Sequence, residues 1–270
     1  MKVNKADEFY KILERKAIYP VFQPIVNLQT GRVSVYEALS RIDRSSTTLT
    51  ISDLFVIAEQ LGCVWKLEKL CRNKALKAAV EKPENVKLFL NVDGNIIQDK
   101  AFIQGFTNRK AMKAGVPASD IVFEITERSD IENYQILQQI MKHYADQGYE
   151  IALDDVGAGH SGLNRVVNTT PDYLKADIEL VRDIYKYKKK EIMMKLLLDY
   201  CNATGAILIA EGIETAQELE CLHSLGVHYG QGFFLGKPER AFGNISAESE
   251  EILERLNGRK NILFLDISGK

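Results

Sequence analysis

The chain has 270 residues, of which 46% are hydrophobic and 27% are charged, an ordinary composition for a globular protein. Its formal net charge of -2 gives no global basic field, so we expect no nucleic-acid polymer as a partner. No apolar run approaches the roughly 20 residues of a membrane span, and residues 1–16 lack the apolar core of a signal peptide. The composition therefore predicts a cytoplasmic protein that makes no membrane contact of its own.

The first two strands are predicted to form a hairpin. A short amphipathic helix at residues 8–16 precedes strands at residues 21–28 and 32–42, with the turn signal Thr30-Gly31 between them. Pro24 lies inside the first strand, and proline favours edge or irregular strands because it cannot donate to the ladder. We therefore expect these strands to be antiparallel neighbours.

Strands and helices alternate through the rest of the chain. Further strands are predicted at residues 86–92, 121–126, 151–153, 173–175, 206–210 and 227–229, the last continuing toward Phe233 and Phe234. Helices are predicted at residues 54–80 with a break at Gly62, in a stretch after the third strand that reaches Ala114, and at residues 131–145, 179–202, 216–225 after the N-cap Thr215, and 247–256, with an additional element at residues 261–270. The alternation indicates an α/β fold with a mainly parallel sheet, and about eight strands in this length favour a (β/α)8 barrel over an open sheet.

A polar side chain ends the apolar run of nearly every predicted strand. These side chains are Glu37, Asn91, Glu124, Asp154, Asp155, Lys175, Glu211 and Gln231. Any one of them could be no more than the onset of a loop, since strands usually end in polar residues. In a barrel, however, the carboxyl ends of the strands converge on one mouth, where catalytic groups lie. We therefore expect the set to form one site.

The chemistry of this set favours metal-dependent phosphoester hydrolysis. Five carboxylates and one asparagine suit two hard cations, Mg²⁺ or Mn²⁺, that share a ligand. Such a pair binds the attacking and leaving oxygens of a displacement at phosphorus and lowers the pKa of a bound water. Lys175 adds a positive charge that can hold this water or a phosphate oxygen. The histidines and cysteines show no spacing typical of a zinc site, so oxygen ligands must hold the metal.

The paired aspartates have two other interpretations. On their own, Asp154 and Asp155 could be a solvated turn pair, although two close carboxylates repel each other unless a proton or a cation lies between them. The residues that follow also form a G-x-G-x-x-G motif with an acidic residue downstream: Gly157, Gly159, Gly162 and Asp177. This motif is typical of dinucleotide-binding oxidoreductases. The charge of the aspartates and the mid-chain position argue against that function, and a lone match of the motif is weak.

Eight short segments carry a resemblance to a known family. They are Gln23-Pro24-Ile25-Val26, Glu37-Ala38-Leu39, Asn91, Glu124-Ile125-Thr126-Glu127, Asp154-Asp155-Val156-Gly157-Ala158-Gly159, Lys175-Ala176-Asp177, Ala210-Glu211-Gly212-Ile213-Glu214-Thr215 and Gln231-Gly232-Phe233-Phe234-Leu235-Gly236-Lys237-Pro238. In order and rough spacing they resemble the motifs of the EAL-domain cyclic di-GMP phosphodiesterases. The resemblance covers about residues 8–245. We expect an EAL domain over residues 1–245 and, over residues 246–270, a helical extension or a linker to a further domain.

The resemblance implies a modified TIM barrel with one antiparallel strand, a homodimer, and a role for each site residue. By this resemblance Glu37, Asn91, Glu124 and Asp154 bind the first metal, while Asp154 and Asp155 serve the second with Glu211 nearby. Lys175 would help to activate the water, and Glu37 and Glu211 would join it in catalysis. Gln23, Arg41 and Gln231 would contact the dinucleotide or order the site, and Glu127 would brace the loop after Asp155. Ca²⁺ is expected to inhibit.

The resemblance implies hydrolysis of cyclic di-GMP to linear 5'-pGpG, with a catalytically silent cyclic di-GMP receptor as the alternative. Silent members commonly lose a metal carboxylate or the lysine, and this chain keeps all of them. Two departures bear on activity. Val156, Ala158 and His160 replace the usual Phe, Thr and Tyr in the loop that couples the metal site to dimerisation, and Val92-Asp93-Gly94 replaces an apolar-Ser-Pro segment.

Overall fold

The computed structural model describes residues 5–43, 47–126, 134–157 and 162–267, apart from the side chains of residues 162, 163 and 259–267. The predicted brace Glu127 and the loop positions Ala158 and His160 lie outside the described residues. Within them, no helix combines the length and the apolar character that a membrane span requires.

Eight strands close into a barrel in the order of the sequence. They are β1 Ile18–Asn27, β2 Arg32–Ile42, β3 Lys87–Asp93, β4 Ile121–Thr126, β5 Glu150–Val156, β6 Tyr173–Ala176, β7 Ile207–Ala210 and β8 Tyr229–Gly230. β1 runs antiparallel to both of its neighbours, β2 and β8. The other neighbouring pairs are parallel. This topology confirms the predicted barrel with one antiparallel strand.

The hairpin of β1 and β2 has a clear local cause. The side chain of Asn27 accepts the N–H groups of Gln29 and Thr30, at 2.9 and 3.0 Å. Gly31 then adopts a φ of 70°, a left-handed conformation that glycine reaches without steric cost. The predicted hairpin and its turn are therefore confirmed, and the short turn leaves no room for a crossover helix.

Helices surround the barrel and cover its outer face. They are α1 Lys5–Arg15, α2 Ile51–Gln60, α3 Val64–Ala78, α4 Phe106–Ala114, α5 Tyr134–Ala145, α6 Gly162–Val167, α7 Ile178–Val181, α8 Lys188–Thr204, α9 Ala216–Leu225 and α10 Ala247–Ile267. The predicted break at Gly62 separates α2 from α3, and the predicted N-cap Thr215 accepts the N–H of Glu218 at 3.3 Å at the start of α9. Most of the buried apolar side chains lie between this outer layer and the strands.

The prediction of one helix over residues 179–202 is wrong. The chain forms α7, then turns at Asp183, whose φ of 56° is left-handed, before α8 begins. The side chain of Asp177 caps α7 by accepting the N–H of Glu179 at 2.8 Å. Glu218 on α9 accepts the N–H of Asp183 at 2.9 Å and holds the turn in place. A tertiary contact therefore overrides a sequence rich in helix-forming residues.

The chain from β8 onward also differs from its prediction. β8 stops at Gly230, and Phe233 and Phe234 lie in a turn rather than in a strand. A Cβ at Gly232 would lie 2.1 Å from the carbonyl oxygen of Ile213, so only glycine allows this close approach of the two backbones. Residues 247–267 form one helix, α10, where a shorter helix and a separate element were predicted.

Side chains on the strands alternate with a period of two, and this alternation builds two layers inside the barrel. The lower layer is apolar and consists of Ile25, Val35, Phe89, Val122, Ala152, Tyr173 and Ile209. Two residues further along each of β2 to β7, the side chain is one of the polar residues of the predicted site. β1 runs in the opposite direction, so its contribution, Gln23, comes two residues before Ile25. The apolar layer therefore forms the floor of a polar mouth.

Candidate active site

The carboxyl ends of the strands bring the predicted site residues together. One cavity of about 590 Å³ is lined by Glu37, Leu39, Asn91, Glu124, Thr126, Asp154, Asp155, Lys175 and Glu211. All five carboxylates predicted as metal ligands, the asparagine and the lysine are in this set. The convergence that the strand-end pattern predicted is therefore present.

Lys175 lies at the centre of the site, and its side chain is only 1% exposed. Its Nζ is 2.8 Å from Oε1 of Glu124 and 2.7 Å from Oε1 of Glu211. Glu37 and Asp154 are next, at 3.5 and 3.7 Å. Burial opposes the charge on Lys175, but the surrounding carboxylates, Glu124 first, outweigh this effect and raise its pKa well above its usual value. The lysine is therefore a fixed positive charge.

The site carries more negative charge than this lysine can neutralise. Burial, followed by the nearby charge of Glu37, raises the pKa of Glu124 well above its usual value. Burial likewise raises the pKa of Glu211 to about 8. Oε2 of Glu124 is buried and has no hydrogen-bond partner among the residues that the structure describes. Crowded carboxylates and an orphaned buried oxygen are what divalent cations would relieve, so the donor set fits Mg²⁺ or Mn²⁺.

A β-bulge allows two adjacent aspartates to serve one site. The pairing of β5 with β6 shifts between Leu153 and Val156. At the bulge Asp155 takes a φ of 55°, a left-handed conformation that Asp and Asn tolerate better than most side chains. One carboxylate oxygen each from Asp154, Asp155 and Glu211 then lie within 4.8 Å of one another. Both aspartates are half-buried, so the interpretation as a fully solvated turn pair is wrong.

Hydrogen bonds from side-chain amides hold the carboxylate of Glu37 in place. Asn91 donates from Nδ2 to Oε1 of Glu37 at 2.9 Å, and Gln231 donates from Nε2 to Oε2 of Glu37 at 2.7 Å. Gln231 also lies 3.2 Å from Oε1 of Gln23, and Gln23 donates to the carbonyl of Gly236 at 3.1 Å. Both glutamines are buried. Of the two predicted roles for Gln23 and Gln231, the geometry favours ordering the site over direct contact with a ligand.

Arg41 lies outside this group of residues. Its Nη1 donates to the carbonyl of Ser40 at 2.9 Å, and its side chain lines a second cavity of about 130 Å³. The two cavities share Leu39, Asn91 and Thr126, so they are adjacent. Arg41 therefore lies next to the mouth, with no ion pair to the carboxylates there among the described residues, and its contact with the dinucleotide stays a prediction.

The second cavity also contains residues that the sequence analysis missed. Glu68 and Arg72 on α3 line it, together with Asp93 at the end of β3. The spacing of four residues between Glu68 and Arg72 is visible in the sequence, but on a helix such a spacing usually indicates an exposed ion pair. Only the apolar residues around Glu68 and Arg72, such as Trp65 and Leu76, indicate that this face of the helix is buried.

The interpretation of the glycine motif as that of a dinucleotide-binding oxidoreductase is not supported by the structure. Asp177, which would contact a ribose in that interpretation, instead caps α7. The glycine motif starts at Gly157, two residues after Asp155, and the negative charge of the two aspartates would repel a pyrophosphate there.

Comparisons with known proteins agree with the fold. A sequence model of the EAL domain matches residues 6–238, which is nearly the whole chain. A relative from Escherichia coli (strain K12), the probable cyclic di-GMP phosphodiesterase PdeG, is 26% identical over 251 residues, covering 87% of this chain and 48% of the relative. The chain spans between 26% and 56% of the length of the curated relatives that we compared.

Two solved structures are similar over most of the chain. Klebsiella pneumoniae BlrP1 in complex with calcium and cyclic di-GMP matches with a TM-score of 0.76 and 28% identity, covering 85% of this chain and 58% of that one. A standalone EAL protein from Vibrio cholerae O395 bound to c-di-GMP matches with a TM-score of 0.74 and 26% identity, covering 86% of this chain and 97% of that one. BlrP1 has also been solved with manganese and the same dinucleotide.

Proposed function

The chain belongs to the EAL domain family, and we propose that it hydrolyses cyclic di-GMP to linear 5'-pGpG with two Mg²⁺ or Mn²⁺ ions. The observation that carries the proposal is the complete set of five carboxylates, Asn91 and Lys175 around one mouth of the barrel. The relatives support the substrate, since PdeG is named a probable cyclic di-GMP phosphodiesterase and BlrP1 was solved with this dinucleotide.

The mouth divides into two groups of donors for the cations. Glu37, Asn91, Glu124 and Asp154 form one group and would hold the first ion. Asp154 is shared with Asp155 and Glu211, whose carboxylate oxygens already cluster within 4.8 Å, and this group would hold the second. When bound, such ions polarise the phosphodiester and make a water easier to deprotonate.

The remaining residues orient these donors. Asn91 and Gln231 each hold one oxygen of Glu37, so this carboxylate has one orientation before any ligand arrives. Lys175 uses two of its three N–H donors on Glu124 and Glu211 and has one left for a water or a phosphate oxygen. Its fixed positive charge would stabilise the negative charge that develops on the phosphate in the transition state.

We test the proposal by incubating the purified protein with cyclic di-GMP and Mn²⁺ and separating the products by chromatography. Linear pGpG as the product is the expected result. Binding of cyclic di-GMP in equilibrium dialysis without any product would instead identify the silent receptor. The same experiment with Lys175→Met separates catalysis by this protein from a contaminating phosphodiesterase, since only the former loses activity.

Three further parts of the proposal concern the protein around the site. We propose that residues 1–245 are the phosphodiesterase domain and that residues 246–270 are a helical extension or a linker to a further domain. Within the latter range, α10 contacts α9, where His223 lies 3.0 Å from Asn257. We propose a homodimer, in which Glu127 braces the loop after Asp155. We place the activity in the cytoplasm, where the four free cysteines would stay reduced.

A further inference from the structure

A fully buried ion pair lies next to the candidate active site, on α3. Glu68 and Arg72 are one helical turn apart, their side chains are 4% and 3% exposed, and Oε2 of the glutamate is 2.7 Å from Nη2 of the arginine. An ion pair in the interior adds little stability compared with apolar residues of similar size, because desolvation offsets the attraction. Its presence therefore points to a role other than stability.

Arg72 holds the carboxylate of Glu68 in one orientation. Its Nη1 donates to Oγ1 of Thr107 on α4 at 3.1 Å and to the hydroxyl of Tyr144 on α5 at 3.3 Å. Its guanidinium also lies over the rings of Trp65 and Phe123, at 5.4 and 5.0 Å from their centroids. Three helices and a strand of the barrel thus fix the position of the arginine, and the arginine fixes Glu68.

The second oxygen of Glu68 reaches the barrel. Oε1 accepts a hydrogen bond from the backbone N–H of Asp93, the last residue of β3. Asn91 lies two residues earlier on the same strand and donates to Glu37 at 2.9 Å. Hydrogen bonds and the last residues of β3 therefore connect the helix layer to Asn91 and Glu37, two of the proposed metal ligands at the mouth.

We propose that Glu68 is a positioning residue for the candidate active site: by holding the N–H of Asp93, it fixes the end of β3 and so sets the side-chain amide of Asn91 against Glu37. Without this acceptor the partly buried N–H loses its partner, and the strand end shifts to find another. A misplacement of about 1 Å at a reacting centre can lower the rate about 100-fold. The catalytic consequence rests on the proposed function, whereas the placement of Asn91 does not.

The test removes the ion pair without leaving a buried charge. In the double variant Glu68→Met/Arg72→Leu, apolar side chains of similar size replace both partners, an exchange that folded proteins usually tolerate. Asp93 loses its acceptor in this variant. The matched control is Asp120→Asn, which weakens the 3.0 Å ion pair between Asp120 and Lys82 at the other end of β3 and β4. Burial raises the pKa of Glu68 to about 7, so the measurements are made about one unit above that value, where Glu68 is ionised.

The first measurement reports on Asn91 in the metal-free protein. Asparagine is labelled with ¹⁵N, and the side-chain amide signals of Asn91 are assigned by their loss in Asn91→Ala. In the double variant we expect these signals to move toward those of solvent-exposed amides and their hydrogens to exchange faster, with no change in Asp120→Asn. The second measurement is a Mn²⁺ titration, in which we expect the double variant to bind about 10- to 100-fold more weakly, the usual effect of losing a residue that orients a metal ligand.

The outcomes separate this proposal from the proposed function. Unchanged Asn91 signals in a folded double variant overturn the positioning role, whatever the metal data show. Shifted signals in the double variant, together with a wild-type protein that neither binds Mn²⁺ nor hydrolyses cyclic di-GMP, support the positioning role and overturn the proposed function. If circular dichroism shows that the double variant is unfolded, Glu68→Gln gives the same measurement, because its amide has one acceptor oxygen for the two donors Arg72 and Asp93.

Discussion

The two ends of the barrel differ in how completely their acidic groups are paired. At the amino ends of the strands, Lys87 forms an ion pair with Glu150, and the hydroxyl of Tyr173 donates to the same carboxylate at 3.0 Å. Asp172 accepts the N–H of Ile151 at 2.8 Å. Each of these acidic groups has a partner within the chain.

At the carboxyl ends of the strands, the acidic groups outnumber the positive charges that could pair with them. Four carboxylates lie within 3.7 Å of Nζ of Lys175, and a fifth, Asp155, lies beside two of them. Among the described residues, one oxygen of Glu124 is buried without a hydrogen-bond partner. The same strands therefore carry a neutralised end that stabilises the fold and a charged end that is incomplete on its own. In barrels of this type the two functions are separated in this way, with chemistry at the carboxyl ends. The difference indicates which substitutions affect activity and which affect only stability.

The strongest test of this difference compares a carboxylate from each end. Glu37→Ala removes a proposed ligand that Asn91 and Gln231 orient, so we expect the rate of cyclic di-GMP hydrolysis to fall by more than about 100-fold, beyond the usual effect of losing a residue that only orients a ligand. Glu150→Ala at the amino end is the control and should keep nearly the wild-type rate. Product chromatography measures both, and circular dichroism verifies both folds. Equal losses in the two variants would contradict the assignment of the mouth as the active site.

Replacing the cation tests the mouth alone. Ca²⁺ takes longer bonds and more ligands than Mg²⁺ or Mn²⁺, so it should occupy the carboxylates but hold the reacting atoms poorly. We expect Ca²⁺ to support binding of cyclic di-GMP and to abolish most of its hydrolysis. Equilibrium dialysis and a turnover assay in each cation decide this. Equal turnover in Ca²⁺ and Mn²⁺ would contradict the proposed mechanism, which depends on the shorter bonds of Mg²⁺ or Mn²⁺.

Cations should also stabilise the fold, because they relieve the repulsion at the mouth. At a concentration of Mn²⁺ about 100 times its dissociation constant, binding adds about 2.7 kcal/mol to the free energy of unfolding. For a chain of this size that raises Tm by roughly 5–10 °C. Thermal unfolding with Mn²⁺ and with a chelator measures the shift, and Asp154→Asn should reduce it. A shift that survives in this variant would mean that Mn²⁺ binds elsewhere.

The smallest effect is expected at the amino end. The ion pair of Lys87 and Glu150 is about one-third exposed, so it should contribute no more than about 0.2–1 kcal/mol to the free energy of unfolding. A double-mutant cycle with Lys87→Met and Glu150→Gln, followed by denaturant unfolding, measures this coupling. A loss of activity in either single variant would show that the two ends of the barrel are not independent.

The sequence predicts the parts of this comparison that depend on local pattern. Apolar runs ending in Glu37, Glu124 or Glu211 place carboxylates at strand ends, and the hairpin follows from its turn residues. The bulge that brings Asp155 beside Asp154 depends on the register between β5 and β6, which no short segment contains.

Contacts between distant residues explain the remaining differences. The break before α8 depends on an acceptor, Glu218, that lies 35 residues away from Asp183. The placement of Gln23 behind Glu37 depends on Gly236, at the other end of the domain. The buried pair of Glu68 and Arg72 has the spacing of a surface pair, and only packing reveals its environment.

The left-handed backbone at Asp155 limits how this position can evolve. The backbone admits Gly, Asn and Asp with little strain, and the proposed chemistry admits only a carboxylate, so aspartate is the one residue that meets both requirements. A descendant of this protein without the proposed hydrolytic activity would be released from the second requirement but not from the first. We would then expect Asn or Gly at position 155, with the bulge intact, and a sequence survey of silent descendants could recognise the loss from this single site.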